Sequence, residues 1–74
     1  MPKREECYDR SWMAKARAMK KMTQLQVAEQ AGLSEGEYCR IENGVRNPGV
    51  KIAIRICDVL GADIRQFLDE NKLA

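Results

Sequence analysis

A chain of 74 residues that is 45% apolar, with 13 basic and 11 acidic side chains and a net charge of +2, has the size and balance of one small globular domain. No apolar run approaches the ~18 residues that argue for a membrane span, and the absence of histidine removes the commonest acid–base group and the commonest zinc ligand. The cysteines, Cys7, Cys39 and Cys57, are odd in number and form no C-x-x-C, so reduced thiols in a cytoplasmic compartment are expected, with no metal and no cofactor.

Apolar residues recur with helical period and no segment alternates with period two, which predicts an all-α, five-helix fold. The N-terminus "MPKREECYDR" has no apolar signal region behind its charges, and residues 1–8, being polar, are expected to form a flexible arm. Cys7 then reads as an exposed free thiol. A first helix is predicted from about Asp9 to Lys21, with Met13, Ala16, Ala18 and Met19 as its apolar residues. Trp12 precedes a core position, and two roles are open to it: covering the edge of the core or anchoring a partner. "TQLQVAEQAG" is a complete short helix. Thr23 caps it, Gln26 stands three residues on where a capping box wants Glu or Gln, and Gly32 ends it.

Only "GLS" separates this helix from the next. Ser34 is the second N-cap, and Glu37 completes the pattern S-x-x-E, its carboxylate reaching back to the Ser34 N–H. Helices at 24–31 and 35–43 joined by a short glycine-containing turn make a helix-turn-helix pattern. Gly44 stops the third helix, and in "GVRNPG" Pro48 pushes Asn47 out of helical conformation. A fourth helix near 50–60 carries Val50, Ala53, Ile56, Cys57 and Leu60 on one stripe, while Ile52 and Val59 lie off it and hint at a self-association surface. Asp63 and Gln66 form a third capping box, opening a last helix whose Ile64, Phe67 and Leu68 face inward. The domain spans 9–69, and residues 70–74 are a loose tail. Cys39 and Cys57 read as small packing residues.

The order "R-x5-TQ-x3-A-x2-AGLS-x6-RIENG-x-RNP-x7-I-x3-LG" resembles the Cro and phage-repressor helix-turn-helix family, also called the xenobiotic-response-element type, over roughly residues 12–68. The resemblance implies five helices, with the second and third forming the DNA-binding motif. It implies a structural ion pair between Arg17 and Glu42, a chemistry that suits a planar guanidinium beside a fixed carboxylate. It also implies phosphate contacts from Gln24 and Asn43. Arg46 and Lys51 flank the next helix and are further phosphate candidates, with weaker claims for Lys20 and Lys21. The base-reading positions that the resemblance implies fall on Glu35, Gly36 and Arg40. Arginine can fork onto guanine O6 and N7.

Glu35-Gly36-Glu37 departs from the usual pattern, because it opens a DNA-reading helix with two acids. Glu35 has two readings: it favours the positive end of the helix dipole, or it accepts a hydrogen bond from cytosine N4. Gly36 has no side chain to read with and weakens the helix. The functional expectation is a sequence-specific DNA-binding regulator, most simply a small homodimeric repressor of a bacterium, phage or mobile element that enters the major groove of double-stranded DNA. The alternatives are the antitoxin of a toxin–antitoxin pair, with a toxin as protein partner, and an interaction module that has lost DNA binding. An enzyme is the least supported class, since no acid–base pair, cysteine pair or phosphate loop is present and no catalytic residue is expected.

Overall fold

The computed structural model describes residues 8–68. They form α1 (Ser11–Met19), α2 (Gln24–Ala31), α3 (Glu35–Glu42), α4 (Val50–Leu60) and α5 (Arg65–Leu68). Strands are absent among the described residues, apart from a single bridge residue at Tyr8. The all-α expectation holds, with the helix-turn-helix at α2 and α3.

The first helix is shorter at both ends than predicted. Asp9 Oδ1 accepts from the Ser11 N–H at 3.1 Å and sets its start. That hydrogen bond is also the first cause holding the Asp9 carboxyl below its ordinary value. Lys21, with φ 55, turns the chain away just after its end. Met13 is fully buried and Ala16 half-buried, but Ala18 and Met19 are exposed. At about 100° per residue they lie roughly 120–140° around the helix from Met13, away from the core.

The second helix starts on a complete capping box. Thr23 Oγ accepts from Gln26 N–H at 3.1 Å, and Gln26 Oε1 accepts from Thr23 N–H at 2.8 Å. It ends where Gly32 takes φ 75, which lets Leu33 N–H reach back to Ala28 O at 2.8 Å. The third helix has only half a box. Ser34 Oγ accepts from Glu37 N–H at 3.1 Å, but the Glu37 carboxylate does not return to Ser34. It faces the Arg46 guanidinium at 3.7 Å instead, since a cation competes with a neutral backbone donor.

The fourth helix buries Ala53, Ile56, Cys57 and Leu60, but its expected stripe member Val50 is 77% exposed in the first turn. Ile52 and Val59, the pair that hinted at a self-association surface, are half-buried. Both pack against the core, because α4 is a central helix with neighbours on two sides. In α5 the third capping box is likewise incomplete. Asp63 Oδ1 accepts from Arg65 N–H at 2.9 Å, and Gln66 N–H goes to the Asp63 backbone carbonyl. A helix of four residues turns only one apolar side chain inward: Phe67 packs on the core, whereas Ile64 and Leu68 are exposed. Phe67 meets Trp12 edge to face, ring centroids 4.9 Å apart at 86°, so Trp12 covers the core edge.

The core is Met13, Val27, Ala28, Ala31, Tyr38, Ile41, Ile56 and Leu60, drawn from α1 to α4. Tyr8, expected within the flexible arm, is half-buried and donates its N–H to Gly44 O at 2.9 Å. Gly44 adopts φ 81, and a Cβ there would collide with the Tyr8 carbonyl, so only glycine closes this turn. The rest of the expected arm, Cys7 included, and the tail lie outside the described residues.

Candidate nucleic-acid interface

The third helix is held from within and bare without. Tyr38 and Ile41 face the core at 0% and 1% exposure. Gly36 and Arg40, four residues apart and therefore on one helical row, face solvent together with neighbouring Glu35. All three predicted base-reading positions are thus exposed on α3.

The end of α3 is fixed by a polar hub on Glu42, whose side chain is 7% exposed. Arg17 donates from Nε to Glu42 Oε1 at 3.0 Å and from Nη2 to Oε2 at 3.2 Å, a bidentate fork. A further Arg17 nitrogen, Nη1, donates to Met22 O at 3.1 Å, tying the α1–α2 turn to the same point. Tyr38 Oη donates to Glu42 Oε1 at 2.8 Å and Gln24 Nε2 to Oε2 at 2.9 Å. Burial opposes the charge on Glu42, yet hydrogen bonds from Arg17, Tyr38 and Gln24 hold its carboxyl below the ordinary value. Their partner effects agree in sign. The Glu42 hydrogen bond raises Arg17, and burial, then Glu42, raises Tyr38.

Gln24 therefore does not stand free at the start of α2. It is half-buried, with its amide nitrogen on Glu42 and its oxygen accepting from Cys39 Sγ at 3.4 Å. Cys39 is more than a packing residue, while Cys57 is buried as expected. Asn43 is the exposed C-cap of α3. Arg46 lies in the following turn and Lys51 in the first turn of α4, both exposed. Lys20 and Lys21 are exposed in the α1–α2 turn.

One residue of this region has no signal in the sequence. Arg10 is 3% exposed, and its guanidinium sits 5.2 Å from the ring centroids of both Tyr8 and Phe67. It donates to Ile41 O at 2.9 Å, to Arg46 O at 2.6 Å and to Asn47 Oδ1 at 2.6 Å. Its partners lie 31 to 37 residues away in the chain, beyond the reach of any local pattern. A charged residue in a polar run reads as surface by default.

Among the described residues no group of three or more His, Cys, Asp or Glu could hold a metal ion, and no helix is long and apolar enough to cross a membrane. The arrangement offers a rigid helix with an outward row of side chains and polar groups at both of its flanks.

The sequence profile of the helix-turn-helix family matches residues 13–67, which is most of the chain and includes all of α2, α3 and α4. The chain belongs to the Cro/C1-type helix-turn-helix family of DNA-binding regulators. It is 38% identical over 61 residues to the uncharacterised HTH-type transcriptional regulator YqaF of Bacillus subtilis (strain 168), covering 82% of this chain and 80% of that one. The fold is similar to the N-terminal DNA-binding domain of SinR from Bacillus subtilis, with a TM-score of 0.72 at 24% identity, covering 82% of this chain and 90% of that one. It is also similar to the clp gene regulator ClgR from C. glutamicum, with a TM-score of 0.69 at 25% identity over 92% of this chain and 87% of that one.

Proposed function

We propose that this regulator is a sequence-specific repressor that acts in the cytoplasm as a homodimer, placing α3 of each subunit in the major groove of double-stranded DNA. The observation that carries the reading is α3 itself. Its inner face is buried, its end is locked by Arg17 on Glu42, and Arg40 projects from the outward row. Arg40 reads guanine, with Glu35 beside it as a base contact or helix-start charge and Gly36 allowing close approach. Gln24, Asn43, Arg46 and Lys51 position the protein on phosphates, because they occupy the start of α2, the end of α3 and the turn and helix start that follow. The Glu37 contact with Arg46 lowers the cost of the acidic opening, since one carboxylate already faces a cation. A dimer is favoured because one recognition helix reads too few base pairs. Val50, Ile64 and Leu68 line one surface groove, and Val50 and Leu68 are 77% and 75% exposed, an apolar surface that a second copy would cover.

The test is selection of a binding site from random duplex DNA, followed by affinity measurement across a salt series. Arg46 and Lys51 from each of two subunits predict a log–log salt slope of roughly −3 to −4. Arg40→Ala should flatten base preference at one position of each half-site. Uniform weakening at every position would make Arg40 a phosphate contact, and no binding even at low salt would remove the repressor reading.

A further inference from the structure

Glu42 is a carboxylate and can only accept, so the nitrogen of the Gln24 amide must face it. The amide oxygen then faces α3, where the Cys39 thiol donates to it at 3.4 Å. These two contacts do different things. The bond to Glu42 fixes where the nitrogen is. It leaves the amide plane free to rotate about that bond. The thiol fixes the plane, and with it the direction of the second N–H on Nε2, the one Glu42 does not use. A neutral donor contacts a phosphate well only when it is aimed before DNA arrives, because ordering it at binding costs conformational entropy.

We infer that Cys39 is a positioning residue for DNA binding: its thiol, on the recognition helix, holds the Gln24 amide so that a free N–H points toward a DNA phosphate. Cys39 acts through Gln24 and touches no DNA itself. The inference rests on the proposed phosphate contact of Gln24. It couples α3 to the start of α2 by a route separate from the Arg17–Glu42 pair, since the thiol reaches the amide oxygen and not the carboxylate.

A double-mutant cycle on the full chain tests it. The probes are the duplex selected by the parent protein and a mixed-sequence duplex at low salt. Cys39→Ala should weaken binding to both by a similar factor, about threefold to tenfold, the scale of one neutral hydrogen bond. Base preference and melting temperature should stay unchanged. Gln24→Ala should weaken both probes at least as much, and adding Cys39→Ala to it should then change nothing further. If Gln24→Ala leaves affinity intact, the phosphate reading of Gln24 is wrong and the inference goes with it. If Gln24→Ala weakens binding but Cys39→Ala does not, or if Cys39→Ala acts equally in both backgrounds, the phosphate reading survives and the role of Cys39 is overturned.

Discussion

At the scale of single residues, the two acids that open α3 have separate explanations, and the buried acid that closes it has a third. Glu35 is exposed at the helix start, where the helix dipole favours it by ~0.3–1 kcal/mol. Glu42 is different, because its charge is buried and saturated with donors. Its carboxyl is depressed in the folded chain and ordinary in the unfolded one, so its stabilisation is fully present above the ordinary value of 4.5 and is lost as pH falls through the folded value. Thermal melts across that acid range should therefore show the parent protein losing stability on acidification. Glu42→Gln should be less stable near neutrality, by about 3 kcal/mol for a broken buried pair, and flatter below the ordinary carboxylate value. Equal acid dependence in parent and variant would mean that another carboxylate governs it.

At the scale of elements, the helix starts differ in how completely their exposed donors are satisfied. The start of α2 is closed from both directions, whereas that of α3 is closed only by Ser34. Ser34→Ala should consequently cost about 1 kcal/mol. Glu37→Ala should cost less than about 0.5 kcal/mol, since its carboxylate faces a half-exposed arginine at 3.7 Å and exposed pairs contribute little. DNA affinity should move the other way, rising in Glu37→Ala as a negative charge leaves and Arg46 is released. Paired urea melts and low-salt binding curves check both variants, and a Glu37→Ala loss as large as that of Ser34→Ala would restore the full capping box.

At the scale of the whole molecule, Arg10 joins parts that no single element connects. It draws the segment before α1, the end of α3, the α3–α4 turn and α5 onto one guanidinium. Arg10→Met keeps much of the stem's volume but leaves Arg46 O without its donor, while Ile41 O keeps the Gly44 N–H, so the cost is ~1–3 kcal/mol for one group left unsatisfied. In a domain of this size roughly 4–8 °C of melting temperature is lost per kcal/mol, so a drop of at least about 4 °C is expected. Hydrogen exchange should open first at Val45 and Gly44, whose N–H groups close the turn that Arg10 braces. A melt unchanged by Arg10→Met would show that the turn stands without it.

Local physics made much of this protein legible from the sequence alone. Helix number, the caps at Thr23 and Ser34, the stop at Gly32, and the family follow from residue types at short spacing, where the forces act within one turn of chain. The core stripe of α4 was legible for the same reason, except at Val50, where the first helical turn projects past its neighbours. Tertiary structure decided what depends on distant partners. It sent Glu37 to Arg46, packed Ile52 and Val59 partly buried against the core, and left Ile64 and Leu68 exposed around a short α5. It also placed Cys39 against Gln24 and surrounded Arg10 with carbonyls and aromatic rings from the other end of the chain. A side chain's periodicity is written in the sequence, but the partner that satisfies its charge or hydrogen bond is chosen by which segments the fold brings within about 3 Å of it.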